Sequence, residues 1–127
     1  MKILLVDEDD DLRSLLAKEL KSRAFEAWQA RSGHGGLSFY QKNGPWELVL
    51  TDILFLPDAN IGDGAQLMVA IQEINPFQQM AMMTSDPQGA RRNLPKDLRH
   101  LPVLRKPFAI EQVLRLLRQP VLPLCVS

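Results

Sequence analysis

The sequence predicts a single α/β domain: a parallel sheet covered by helices on both faces. Three observations carry that expectation. Short apolar runs alternate five times with stretches of helical spacing, the pattern of repeated βα units. Several of those runs are nearly continuous in apolar residues, as strands buried on both faces require. The chain has 127 residues, 46% of them apolar, which suffices for one continuous core.

Lys2 to Val6 reads as the first buried strand. Leu12, Leu15, Leu16 and Leu20 then recur at helical spacing. Asp9, Asp10 and Asp11 precede or open that helix, where carboxylates cap free N–H groups and meet the positive end of the helix dipole. Phe25 to Ala30 is a weaker second strand. Ser32 to Tyr40 is a second helix burdened by glycines, each costing about 1 kcal/mol against alanine. Glu47 to Thr51 is the third strand. A third helix starts at or near Asp63, with Leu67, Met68, Ile71 and Ile74 as its inner face. Met80 to Thr84 is the fourth strand, and Met80, Met82 and Met83 are core filling. Pro87, Gly89, Pro95 and Pro102 allow only a short or broken fourth helix over 86–101. Val103 to Arg105 is the fifth strand, and Ile110, Val113, Leu114 and Leu117 mark the last helix. The domain is expected over 1–119, with 120–127 an irregular tail or linker stub broken by Pro120 and Pro123.

Composition excludes several functions. Fifteen basic residues balance fifteen acidic ones, so there is no basic surplus for direct nucleic-acid binding. The balance is uneven: acids gather at residues 7–11, and Arg91, Arg92, Lys96, Arg99, Arg105, Lys106, Arg115 and Arg118 crowd the last third. One cysteine, Cys125, permits no internal disulfide and suits a reducing cytoplasm. The N-terminal apolar run is too short for a signal core or a membrane span. A cytoplasmic protein without membrane insertion is expected. Trp28 and Trp46 are expected to pack; Trp46 is near the third strand, and either is a candidate fluorescence reporter of Mg²⁺ or phosphate.

In a parallel sheet, ligands bind beyond the carboxyl ends of the strands. There the sequence places Asp7, Glu8 and Asp9 after the first strand, Asp52 after the third, Thr84 and Ser85 after the fourth, and Lys106 after the fifth. Converging carboxylates repel, and a hard divalent cation such as Mg²⁺ relieves that repulsion. A carboxylate also serves as a nucleophile towards phosphorus. A metal, an ammonium and a hydroxyl then hold the phosphoryl oxygens. Asp52, Lys106 and Thr84 supply these parts. Each has an ordinary role when taken alone: a turn residue, a solvated charge, a hydroxyl satisfied by backbone. Their occurrence together, in order, at four strand ends favours the site. Met triplets, His34 and His100 are read as packing and surface residues.

With those residues in place, the chain resembles the receiver domain of two-component response regulators along nearly its whole length. "ILLVDEDDDLRSLL" is similar to the family's opening strand, acidic pair and first helix. "LVLTD" resembles its phosphoacceptor strand, "MAMMTS" the strand ending in a hydroxyl residue, and "LRKPF" its lysine–proline signature. The resemblance implies a flavodoxin-like (βα)5 sheet of order 2-1-3-4-5. It implies phosphorylation of Asp52 by a histidine kinase or phosphotransfer protein, and output through a downstream protein target. Asp7 and Glu8 would form the Mg²⁺ pocket with Asp52 and the backbone carbonyl of Leu54. Thr84 would bond a phosphoryl oxygen, Lys106 would form an ion pair, and the Lys106–Pro107 bond would be cis, which proline permits.

The sequence departs from the family in three places. The segment between Asp52 and Asp63-Gly64 is about four residues longer than usual, an insertion with little entropic cost. Val103 stands at the switch position, where an aromatic residue usually moves with the hydroxyl of Thr84. The fourth-helix region is rich in breakers and bases. Two other functions compete. A pseudo-receiver would keep the fold only as a phosphorylation-independent binding module. A phosphohydrolase would use the same groups with a general acid two residues after Asp52, but that residue is Leu54. No enzyme beyond self-phosphorylation and autodephosphorylation is therefore expected. Output is expected as protein binding or onward phosphotransfer, or the chain is a piece of a larger regulator or hybrid kinase.

Overall fold

The computed structural model describes residues 1–53 and 63–118, apart from the side chains of Asp63 and Asn93. The expected carbonyl ligand at Leu54, the lengthened segment at 54–62 and the expected tail at 120–127 lie outside the described residues.

Five strands alternate with five helices: β1 (Lys2–Val6), α1 (Asp10–Lys21), β2 (Glu26–Ala30), α2 (Gly33–Lys42), β3 (Leu48–Asp52), α3 (Asp63–Ile74), β4 (Met80–Thr84), α4 (Pro87–Asn93), β5 (Val103–Arg105) and α5 (Ile110–Leu117). A single 3-10 turn, Lys96–Leu98, follows α4. All neighbouring strands pair in parallel, in the order β2-β1-β3-β4-β5. This is the flavodoxin-like sheet that the resemblance implies.

Alternation within each strand divides the core in two. Ile3, Leu5, Leu48, Leu50, Ala81 and Met83 face α1 and α5, packing against Leu16, Leu20, Val113 and Leu116. Leu4, Val6, Val49, Met80 and Met82 face the opposite side, against Leu67, Met68 and Ile71 of α3 and Tyr40 of α2. Each such side chain contributes about 1.5–3 kcal/mol on burial. The methionines of β4 are core residues, as expected. Gly36 lets α2 approach β1 closely, since a Cβ there would lie 2.9 Å from a methyl of Val6.

The helix starts follow local chemistry. Asp9 caps α1, accepting the N–H groups of Asp11 and Leu12. Ser32 caps α2 at Gly35, and Asp86 caps α4 at Gly89. The fourth helix is short, as its prolines and glycine dictate. Two expectations need correction. Leu15 is 58% exposed, and the buried face of α1 is Arg13, Leu16, Ala17 and Leu20. Its true stripe is hidden from apolar counting because a cation opens it. Ile74 is also exposed, being the last residue of α3, where the chain turns away.

Candidate functional site

Asp52 is the last residue of β3, one position beyond the expected strand, and pairs in register with Met83 of β4. Buried Leu48, Val49 and Leu50 fix the strand behind it. The start of α3 closes over the same strand end. A Cβ at Gly64 would sit 2.0 Å from the carbonyl oxygen of Asp52, so any side chain there would displace the Asp52 peptide. The Thr51 hydroxyl donates to that same oxygen at 3.2 Å.

Asp7 follows β1, and its side chain is 1% exposed. Lys106 follows β5 and reaches both acids, with Nζ 2.8 Å from Asp7 Oδ2 and 3.1 Å from Asp52 Oδ1. The peptide bond from Lys106 to Pro107 is cis. Asp7 Oδ1 accepts the N–H of Asp9 at 2.9 Å. Among the described residues, Asp52 Oδ2 has no partner, although the side chain is only 11% exposed. Thr84 ends β4 beside this group. Its carbonyl accepts the N–H of Lys106 at 2.8 Å, and its hydroxyl accepts the N–H of Asp86 at 3.1 Å. Glu8 is exposed at the rim. Val103 is partly buried against the α2–α3 side of the core, paired with Met82.

The electrostatics are unbalanced. Burial raises the Asp52 pKa above the ordinary carboxylate value, and the Asp7 charge raises it further. Lys106 pulls the other way without cancelling these, and Glu8 adds a smaller upward push. Burial alone would lower the Lys106 pKa, but its bonds to Asp7 and Asp52 outweigh that and raise it. Three carboxylates thus face one ammonium.

This donor set fits a hard divalent cation. Among the described residues no group of three or more His, Cys, Asp or Glu side chains is placed to hold a metal ion. Mg²⁺ does not need one: it commonly takes one or two protein carboxylates and fills its octahedron with waters and a phosphate oxygen. Asp7 and Asp52, held by one lysine and short of positive charge, meet that requirement. Sequence reasoning named Asp7, Asp52 and Lys106, and the structure brings these three into contact. It sets Thr84 at the adjoining strand end and Glu8 at the exposed rim.

Sequence reasoning missed Arg13 and Gly64. Arg13 carried a usable signal, since it stands at i, i+3, i+4 and i+7 with Leu16, Ala17 and Leu20. Trp46 does pack, in contact with Trp28 and Tyr40. It lies before β3, however, while Asp52 ends that strand, roughly 15–20 Å away along the chain. It is thus remote from the ion it was expected to report.

No protein-family model matches the chain. The response regulator receiver protein CpdR of Brucella abortus (strain 2308) is 29% identical over 115 residues, covering 88% of this chain and 89% of that protein. The non-phosphorylated HemR receiver domain from Leptospira biflexa aligns at 25% identity with a TM-score of 0.73, over 93% of this chain and 94% of that one. The response regulator protein TrrA from Thermotoga maritima, solved in complex with Mg²⁺-BeF, aligns at 22% identity and a TM-score of 0.67, over 91% of this chain and 97% of that one.

Proposed function

We propose that this chain, a receiver domain by fold and by its likeness to response regulator receiver proteins, accepts a phosphoryl group on Asp52. The observation that carries the reading is Lys106 bridging buried Asp7 and partly buried Asp52, whose Oδ2 has no partner among the described residues. Asp52 Oδ2 attacks the phosphorus of a phosphohistidine or acyl phosphate. The new O–P bond forms as the bond to the leaving group breaks, and that group departs with the electron pair. Lys106 can follow the transferred oxygens while holding Asp7. The Thr84 hydroxyl, at the next strand end, is the candidate donor to a phosphoryl oxygen. Asp7, Asp52 and the exposed Glu8 are the candidate holders of Mg²⁺, with the Leu54 carbonyl as a further proposed ligand. When bound, that ion would offset the negative charge of the carboxylates and the incoming phosphoryl group. The Mg²⁺-BeF complex of TrrA lends support to this choice of ion.

The phosphodonor would be a histidine kinase or phosphotransfer protein, and phosphorylation would alter binding to a downstream protein. With Val103 at the switch position, that alteration would not depend on an aromatic swing. The chain would act as a signalling module rather than as an enzyme on external substrates. Among the described residues no helix is long and apolar enough to cross a membrane.

Incubation with acetyl phosphate and Mg²⁺, read by intact-protein mass, tests the reading. Wild type should gain one phosphoryl group, and Asp52→Asn should gain none. An unmodified wild type, or equal modification of both, would refute it.

A further inference from the structure

We infer that Arg13 is a positioning residue for the cation side of this site: its guanidinium fixes the main-chain carbonyl of Asp7 and so holds that carboxylate towards Lys106 and Asp52. The inference rests on the reading of Asp52 as phosphoacceptor.

Arg13 is the one basic residue among the buried polar and charged side chains of the described residues. Its donors reach acceptors in α1, in β2 and one residue past β1. Nη1 donates to the carbonyl oxygen of Asp7 at 2.5 Å, Nε to Gln29 Oε1 at 3.2 Å, and Nη2 to Asp10 Oδ1 at 2.7 Å. Only a planar fork reaches all three acceptors at once. Asp10 is shared with Arg31 at 3.3 Å.

The other members of this helical stripe are Leu16, Ala17 and Leu20. An apolar side chain at position 13 would continue the stripe, but it would leave the Asp7 carbonyl and Gln29 Oε1 without this donor. What an apolar residue would not do is bond Asp7. That carbonyl lies one residue past β1, and among the described residues Arg13 is the donor it has. The Asp7 N–H is already fixed, donating to Ala30 O at 3.1 Å. With Arg13 on the carbonyl, both main-chain polar groups of Asp7 are held. Because Arg13 bonds the main chain, it leaves the carboxylate to Asp9 N–H, Lys106 and a cation.

The test uses the full chain as wild type, Arg13→Met, Arg13→Lys and Gln29→Met. Mg²⁺ affinity is measured by calorimetry and by NMR titration of the Asp7 and Glu8 amides, urea unfolding reports stability, and acetyl phosphate uptake is followed across Mg²⁺ concentrations. Arg13→Met should weaken Mg²⁺ binding about tenfold, the scale expected for a group that orients a metal ligand. Its phosphorylation deficit should close as Mg²⁺ approaches saturation. Arg13→Lys keeps the charge but not the fork, and should bind about threefold more weakly. Gln29→Met should lose stability while keeping wild-type Mg²⁺ affinity, because the bond to Asp7 survives. If Arg13→Met does not fold, Arg13→Lys decides. Wild-type Mg²⁺ affinity in the folded Arg13 variants overturns the inference, as does an equal loss in Gln29→Met. A wild type that neither binds Mg²⁺ nor takes up phosphate overturns the phosphoacceptor reading and this inference together. A competent wild type with unaffected Arg13 variants overturns this inference alone.

Discussion

The two ends of the sheet both bury polar groups, and they do so in opposite ways. Ahead of β3 and β4, three neutral side chains close a ring. The Tyr40 hydroxyl donates to Gln78 Oε1 at 2.9 Å, Gln78 Nε2 donates to the Trp46 carbonyl at 3.1 Å, and Trp46 Nε1 donates to the Tyr40 carbonyl at 3.1 Å. Burial raises the Tyr40 pKa, which keeps the phenol neutral. At the far end, Asp7, Asp52 and Lys106 are charged, unequal in number and open to a further cation. A closed neutral ring has nothing left to bind and serves only the fold. An unbalanced charged cluster holds unsatisfied electrostatic demand, and that demand is what a metal and a phosphoryl group can meet.

The strongest way to break this contrast is to remove its one cation. Lys106→Met leaves buried Asp7 and partly buried Asp52 facing each other, and loss of one partner from a buried ion pair costs about 3 kcal/mol. In Mg²⁺-free buffer at pH 7, urea unfolding should show a loss of that order. Added Mg²⁺ should recover much of it, because a bound ion stabilises the folded state by mass action. A loss that Mg²⁺ leaves untouched would mean that the charged end is structural after all.

Gln78→Leu is the matching cut at the neutral end. It takes the Gln78 partner from the Tyr40 hydroxyl and from the Trp46 carbonyl, at about 2 kcal/mol for buried hydrogen bonds lost. The loss should be the same with and without Mg²⁺, and phosphorylation of Asp52 should proceed as in wild type once the variant is folded. A Mg²⁺-dependent loss would show that the two ends are coupled through β3.

The two ends also differ in how far the sequence disclosed them. The charged end could be read because its residues, ordinary one by one, stand together in order at the strand ends. Alternation of apolar runs and helical stripes gave all five strands, and prolines and glycine gave the short α4. The neutral ring could not be read, since Tyr40 and Gln78 are 38 positions apart and nothing in either residue's neighbourhood names the other. Arg13 was passed over for a related reason, although it shares the helical spacing of its stripe. Counting apolar residues selects Leu15, which is exposed, and passes over an arginine that only its contacts with Asp7 and Gln29 explain. Helical spacing specifies an angle, and the partner across the interface decides which residue fills it.

The smallest expected effect sharpens the contrast most finely. The folded pKa of Asp52 is raised, chiefly by burial and then by Asp7, so the folded state binds its proton more tightly than the unfolded chain does. Ionised Asp52 therefore opposes folding. This opposition is absent below the unfolded carboxylate value, about 4. It grows as pH rises through the folded pKa and is constant above it. In Mg²⁺-free buffer at pH 7, Asp52→Asn should melt a few degrees above wild type, and the gap should close on acidification towards pH 4. Mg²⁺ should reverse the order, since wild type gains about 2.7 kcal/mol at one hundred times its dissociation constant and the asparagine variant, lacking one proposed ligand, gains less. Lys106 acts at the other extreme. Its raised pKa contributes stability that is full below the unfolded lysine value and is lost as pH climbs through the folded one. Melting curves across pH, with and without Mg²⁺, separate the two groups. A wild type that outlasts Asp52→Asn without Mg²⁺ at pH 7 would mean that Lys106 already satisfies the carboxylate, leaving no electrostatic demand for an ion to meet.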